Sequence, residues 1–129
     1  MANQPLILIA DDDPSFREIF SMKLSGEGYR IETAENGQLA VEKTKQLKPD
    51  LVLMDVNMPV MDGAAATLAL RADEATKNMK IAFLTSLGDP QADMQSLNIK
   101  FSKDFGAEGY LRKTDDLDTL AEQIKKFLA

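Results

Sequence analysis

Four short apolar runs of this chain each end in side chains that could take part in chemistry. Asp55 follows the run 51–54, Thr85 follows 81–84, Lys113 follows 109–112, and the acidic triplet Asp11, Asp12 and Asp13 follows 6–10. If these runs are parallel strands, their carboxyl ends meet at one edge of a sheet, where open α/β sheets bind ligands. The sequence therefore predicts one polar site made of carboxylates, a hydroxyl and an ammonium.

The combination of these side chains indicates phosphoryl chemistry. Carboxylates that lie close together repel each other unless a cation intervenes. In a chain without histidine or cysteine, oxygen ligands suit a hard ion such as Mg²⁺. Asp55 would then carry the phosphoryl group as a carboxylate nucleophile, with Thr85 as a hydroxyl donor and Lys113 as a mobile positive charge.

Each of these residues also has an ordinary structural explanation when it is taken alone. The triplet 11–13 would be a helix-capping turn, Thr85 a strand-end hydroxyl bonded to backbone, and Lys113 a solvated surface lysine. Asp62 and Gly63 are best explained as turn and cap even in context. Chance rarely produces four strand exits that carry acid, acid, hydroxyl and ammonium, so the combination favours a functional site.

The elements that must position this site alternate along the chain. Strands are predicted over 6–10, 29–34, 51–54, 81–84 and 109–112, and helices from Pro14 to the glycines at 26 and 28, then over 39–47, 63–70, 89–105 and 116–128. Strands that alternate with helices predict an α/β, doubly wound fold with a five-stranded parallel sheet covered on both faces.

Composition excludes several classes of function. The 129 residues carry a net charge of -6, which disfavours non-specific nucleic-acid binding. The absence of histidine and cysteine excludes a histidine base, a thiolate metal site and a Ser-His-Asp triad within the chain. No apolar run approaches the ~20 residues of a membrane helix, and no signal peptide is recognisable. We expect a soluble cytoplasmic protein with a single domain over 1–129 and no effector domain.

Four motifs together resemble those of the receiver domain of two-component response regulators. They are LILIADDDP at 6–14, DVNMP at 55–59 with Asp62 and Gly63, LTS at 84–86, and GYLRK at 109–113. The resemblance covers essentially the whole chain. It implies a flavodoxin-like (βα)5 fold with strand order 2-1-3-4-5, the order that flavodoxin and a chemotaxis receiver share.

The resemblance also implies a phosphoacceptor and a metal site. Asp55 looks like the phosphoacceptor and Asp12 like the direct Mg²⁺ ligand. Asp11 would act on the metal mainly through water, and Asn57 would contribute its backbone carbonyl. The metal site is therefore predicted to include Asp11, Asp12, Asp55 and Asn57.

The remaining family positions concern the phosphoryl group and the signal. Lys113 would pair with one phosphoryl oxygen and Thr85 with another, while Ser86 is small enough to leave the site open. Tyr110 matches the aromatic residue that changes rotamer as the threonine moves. The implied donor is a phosphohistidine on a sensor histidine kinase or a histidine phosphotransfer protein, and the implied output is a downstream protein target. Such a receiver catalyses its own phosphorylation and slow dephosphorylation.

Two departures from the family pattern affect what is predicted. Thr114 stands where the family usually has a cis-proline, and we predict a trans Lys113–Thr114 peptide because a non-proline cis bond costs ~2.5–4 kcal/mol. The 28 positions from Thr85 to Lys113 exceed the usual spacing by about six residues, roughly a turn and a half of helix. The extra length falls in the segment 87–105, whose apolar residues are Met94, Leu97, Ile99, Phe101 and Phe105. This segment, with Tyr110 and the last helix, is the predicted partner surface, although Leu97 and Phe105 are better explained as packing on the sheet.

Two rival functions remain open at this point. A carboxylate-nucleophile phosphatase of the haloacid-dehalogenase kind resembles a strand followed by Asp-x-Asp, but here Asn57 replaces the second acid. A non-catalytic binding module on the same fold is disfavoured because every member of the site is present. The sequence names neither the cognate kinase, the output partner nor the oligomeric state, and both a stand-alone receiver and one cut from a larger regulator fit it.

Overall fold

The computed structural model describes residues 4–85 and 106–129, which contain five strands and four helices. The strands are β1 Leu6–Ala10, β2 Arg30–Ala34, β3 Leu51–Asp55, β4 Ile81–Thr85 and β5 Gly109–Arg112. The helices are α1 Pro14–Gly26, α2 Gly37–Leu47, α3 Gly63–Ala72 and a C-terminal helix, Leu117–Leu128. All strand pairs are parallel and the order is β2-β1-β3-β4-β5, which confirms the predicted topology. The helix predicted over 89–105 lies outside the described residues.

The sheet separates two apolar cores. On one face α1 and the C-terminal helix pack against alternate strand residues, with Phe20, Leu24 and Ile124 among the buried side chains. On the other face α2 and α3 cover the intervening strand residues, and Ala40, Ala66 and Leu70 are buried there. Every residue of β3 and β4 is buried. Strands buried on both faces read as continuous apolar runs, which is why these two were easy to predict.

Side-chain caps set where the helices begin. The N-cap residues Asp13, Asn36, Asp62 and Asp116 each accept a hydrogen bond from a backbone N–H of the first helical turn. Such caps satisfy donors that have no partner within the helix. Within the acidic triplet 11–13 it is Asp13 that caps a helix, and the turn-and-cap role predicted for Asp62 and Gly63 is confirmed.

The described backbone contains no cis peptide bond, so the Lys113–Thr114 peptide is trans as predicted. None of the helices within residues 4–85 and 106–129 is both long and apolar enough to cross a membrane.

Candidate functional site

The predicted strand-end residues meet at the carboxyl edge of the sheet. Lys113 Nζ lies 2.6 Å from Asp11 Oδ2 and 3.3 Å from Asp55 Oδ2, so one ammonium joins the ends of β1 and β3. The Lys113 backbone N–H donates to the Thr85 carbonyl at 2.9 Å, which ties the end of β5 to the end of β4. Parallel pairing therefore brings together side chains that are up to 102 positions apart in the chain (Asp11 to Lys113).

Asp11 is held by its neighbours in the turn between β1 and α1. Its carboxylate is fully buried, and Oδ1 accepts a hydrogen bond from the Asp13 N–H at 2.9 Å. Its carbonyl accepts one from Arg17 Nη1 at 2.7 Å. Beyond the ion pair with Lys113, Oδ2 has no hydrogen-bond partner among the described residues. A buried carboxylate oxygen with spare acceptor capacity favours a further positive ligand.

Asp55 is the last residue of β3 and is only 5% exposed. Its Oδ1 accepts a hydrogen bond from the Asn57 N–H at 3.3 Å. Burial, followed by the negative charge of Asp11, raises the pKa of Asp55 to about 7, while Lys113 and the Asn57 N–H act in the opposite direction. Lys113 alone therefore does not neutralise the negative charge of this edge.

Lys113 keeps its charge although it is largely buried. Burial by itself lowers its pKa, but hydrogen bonding to Asp11 and the charges of both carboxylates outweigh burial and leave the pKa raised. The ammonium also lies 4.9 Å from the centre of the Phe16 ring, within the range of a cation–π contact. The first turn of α1 thus helps to direct the lysine toward the carboxylates.

Three carboxylates at this edge could hold a metal ion. Asp11, Asp12 and Asp55 each offer one oxygen, and these oxygens all lie within 4.8 Å of one another. Asp12 is exposed while the other two are buried, so the cluster opens to solvent on one side. An all-oxygen set that reaches water suits a hard cation that keeps part of its hydration shell. The residues present therefore fit Mg²⁺.

The other predicted site residues lie at different distances from this cluster. Thr85 is 5% exposed and its hydroxyl makes a long hydrogen bond of 3.4 Å to the Leu111 carbonyl. Tyr110 pairs with Phe83 in the sheet, whereas Thr85 pairs with Arg112, two residues further along β5. The half-buried side chain of Tyr110 packs on the core beneath α2 and α3. Tyr110 is thus not part of the carboxylate cluster, and Ser86 lies outside the described residues.

Some residues that shape the site were not assigned to it from the sequence. Neither Phe16 nor Arg17 was predicted to belong to the site. Gly63 was assigned to a turn, yet a Cβ at this position would lie 2.2 Å from the Asp55 carbonyl oxygen. In the sequence, the only sign of this role was a glycine directly after the capping Asp62. The close approach of Gly63 to the Asp55 backbone depends on tertiary packing.

The family model for the response regulator receiver domain matches residues 7–125. This chain belongs to the receiver domain family. Its fold agrees with that membership, and Asp55, Lys113 and Thr85 lie at the sheet edge described above.

Several relatives resemble this receiver domain over most of its length. Protein PilH of Pseudomonas aeruginosa is 36% identical over 123 residues, which are 95% of this chain and 97% of PilH. The structure of the chemotaxis protein CheY4 of Vibrio cholerae gives a TM-score of 0.83 at 30% identity, with 97% of this chain and 99% of CheY4 covered. The receiver domain of the sensor histidine kinase PA1611 of P. aeruginosa, solved with a magnesium ion in its active-site cleft, gives a TM-score of 0.82 at 27% identity and 98% coverage of both chains. The chain spans about half the length of other curated relatives, 49% and 51% for two transcriptional regulators.

Proposed function

We propose that this chain is a phosphorylation-dependent switch of a two-component system, which accepts a phosphoryl group from a phosphohistidine onto Asp55. The observation that carries this proposal is the position of Lys113 Nζ, 2.6 Å from Asp11 and 3.3 Å from Asp55 at a solvent-facing sheet edge. A lysine that already pairs with the acceptor carboxylate can pair with a phosphoryl oxygen once the acceptor is phosphorylated. Membership of the receiver family supports the same function.

Mg²⁺ is the cofactor that fits this switch. Asp11, Asp12 and Asp55 would hold it through carboxylate oxygens, and Asn57 through its backbone carbonyl. When bound, the ion supplies positive charge that offsets the charge developing on the transferred phosphoryl group. The magnesium ion reported for the PA1611 receiver domain supports this assignment by analogy.

The transfer step follows from the chemistry of the residues. A carboxylate oxygen of Asp55 forms a bond to phosphorus as the phosphorus–nitrogen bond of the donor breaks, and the electron pair goes to the imidazole nitrogen. Lys113 would pair with one phosphoryl oxygen, and Thr85 would turn its weakly held hydroxyl toward another. Tyr110, on the adjacent strand, would then change rotamer as Thr85 moves. Water attack on the acyl phosphate would reset the switch slowly.

The proposed partners are a sensor histidine kinase or histidine phosphotransfer protein and a downstream protein target, with no direct contact to nucleic acid. We propose that the protein acts in the cytoplasm and that residues 1–129 form one receiver domain. The partner surface proposed for the segment 87–105 lies outside the described residues, whereas Tyr110 and the C-terminal helix lie within them.

The test is intact mass spectrometry after incubation with Mg²⁺ and acetyl phosphate. The mass should rise by one phosphoryl group, Asp55→Asn should prevent the rise, and Asp118→Asn, at a carboxylate that is 86% exposed, should label like the wild type. Labelling of Asp55→Asn at another residue would refute the acceptor. Repeated hydrolysis of a small phosphoester without a stable labelled form would instead favour the haloacid-dehalogenase type of phosphatase.

A further inference from the structure

The loop that follows Asp55 is fastened at two points. At its base the Gly63 N–H donates to the Val56 carbonyl at 3.0 Å. At its tip the Met61 carbonyl accepts a hydrogen bond from the N–H of Gly37, the first residue of α2, also at 3.0 Å. The loop 56–62 is therefore held between the beginnings of α2 and α3.

Position 37 requires glycine because it has no room for a Cβ atom, and not because of its backbone conformation. A Cβ at this position would lie 2.0 Å from the Met61 carbonyl oxygen and 2.8 Å from its carbon, while the φ of Gly37 is not in the left-handed region. Both obstructing atoms are backbone, so no side-chain rotation relieves the overlap. Any larger residue at 37 has to displace either the loop or the start of α2.

The tip of the loop adopts a conformation that its sequence disfavours. Val60 has a φ of 69°, and the Met61 N–H donates to the Pro59 carbonyl at 2.7 Å, which closes a three-residue γ-turn. A β-branched residue rarely adopts positive φ. The Val60 side chain is 76% exposed, so its own packing offsets little of this strain. Strained turns persist where surrounding structure fixes them, and the Gly37–Met61 contact reaches this turn from outside the loop.

From these contacts we infer that Gly37 is a positioning residue for the Asp55 site. By fixing Met61 it fixes the loop that carries Asn57, whose N–H donates to Asp55 Oδ1 at 3.3 Å and whose carbonyl is a proposed metal ligand. The inference rests on the proposed function, because the positioned groups are the acceptor and its metal site. It assigns to α2 a part in the geometry of that site, which acts through the loop 56–62.

Gly37→Ala tests the inference, and Gly26→Ala is its matched control. Gly26 lies at the end of α1, and a Cβ there meets nothing within 4 Å. In Gly37→Ala, titration calorimetry should give about tenfold weaker Mg²⁺ binding. Labelling by acetyl phosphate should be about 10- to 100-fold slower, since small misplacement of reacting groups is costly. The amides of Met61 and Asn57 should exchange hydrogen faster, while Gly26→Ala should match the wild type in all three measurements.

These readouts separate positioning from mere packing. A packing role would lower the stability of Gly37→Ala and leave its Mg²⁺ affinity and labelling rate unchanged, and that result would overturn the inference. If Gly37→Ala does not fold, the wild type provides the test, because coupling between sites is reciprocal. Mg²⁺ should slow exchange of the Gly37 amide more than that of the Lys48 amide, which donates to the Thr44 carbonyl at the other end of α2. Equal effects on the two amides would refute the coupling.

Failure of the proposed function would look different. In that case the wild type itself would neither bind Mg²⁺ nor label. Amide exchange would still decide the role of Gly37, since the Met61 and Asn57 amides have to lose protection in Gly37→Ala and keep it in Gly26→Ala. Unchanged protection in both variants would overturn the inference.

Discussion

Some charged side chains at the two edges of the sheet have different kinds of partner. At the amino edge, two charged groups bind neutral backbone: Asp50 accepts from the Leu6 N–H at 2.8 Å, and Lys80 donates to the Phe127 carbonyl at 3.0 Å. Arg71 donates to the carbonyls of Lys77, Met79 and Gly106. At the carboxyl edge, the carboxylates of Asp11 and Asp55 face each other across one ammonium.

The contacts at the amino edge stabilise the fold, whereas the charges at the carboxyl edge destabilise it in the absence of a ligand. Hydrogen bonds between a charged side chain and backbone close the ends of elements and stabilise the fold. Two buried carboxylates with one cation disfavour the folded state until further positive charge arrives. We conclude that the carboxyl edge is arranged for a ligand at some cost in stability, which the amino edge and the two cores offset.

The largest effect should come from removing the ammonium. Lys113→Met keeps most of the side-chain volume but leaves two carboxylates uncompensated, so we expect a loss of about 2–4 kcal/mol in metal-free protein. Lys80→Met, at the amino edge, removes the hydrogen bond to the neutral Phe127 carbonyl and should cost about 1 kcal/mol. Urea denaturation of both variants in a chelating buffer measures the contrast. Equal losses would show that the two edges do not differ as described.

Neutralising Asp55 should raise the stability of the metal-free protein, whereas removing the Lys113 ammonium should lower it. The pKa of Asp55 is about 7 in the folded protein, above its ordinary value of 3.8, so ionisation disfavours the folded state. The stability that the protonated Asp55 carboxyl contributes is therefore fully present below about pH 4 and is lost as the pH rises through 7. Above pH 7, Asp55→Asn should therefore stabilise the metal-free protein by about 1–3 kcal/mol, with little gain near pH 4.

The matched variant for that experiment is Asp50→Asn. It removes a charge that strengthens the hydrogen bond from the Leu6 N–H, and it should cost about 0.5–1 kcal/mol. Chemical denaturation across pH 4 to 8 measures both variants. A destabilised Asp55→Asn would mean that Lys113 already compensates the cluster without a metal.

Metal binding should distinguish two neighbouring acids within the carboxyl edge. Asp12→Ala should weaken Mg²⁺ binding about tenfold or more, because Asp12 is a proposed metal ligand within the carboxylate cluster. Asp13→Ala should cost about 1 kcal/mol of stability with a smaller change in Mg²⁺ affinity, because Asp13 caps α1. Calorimetric titration of both variants is the measurement. Equal losses of affinity would contradict the separate roles.

Local pattern was enough to predict the strands and helices, the cap at Asp62 and the residues at the strand ends, whereas the strand order came from the resemblance to the receiver domain. Asp55 and Thr85 were expected just beyond β3 and β4, yet they are the last paired residues of those strands, because strand pairing extends to the edge of the site. Arg71 was not predicted as an anchor. The carbonyls that it binds lie up to 35 positions away, and no local pattern records them.

The same limit applies to the site itself. The residue types at the strand ends indicated a metal and a phosphoryl group, because carboxylates in combination with an ammonium suit both ligands. The stacking of Lys113 over Phe16 and the space requirement at Gly37 arise from distances between elements. Such contacts depend on packing, and a single sequence without its fold does not encode them in any local spacing.

The smallest predicted effect concerns backbone strain, which also differs between the two edges. Val60, beside the site, and Lys48, at the amino edge, both have positive φ, at 69° and 48°. A left-handed conformation costs an L-residue about 1–2 kcal/mol, and glycine gives back about 0.5–1 kcal/mol of this through chain entropy. Val60→Gly should therefore stabilise the protein by up to about 1 kcal/mol, and Lys48→Gly by less, since lysine is not β-branched. Thermal unfolding of both variants ranks them, and a larger gain at Lys48 would show that the greater strain lies away from the site.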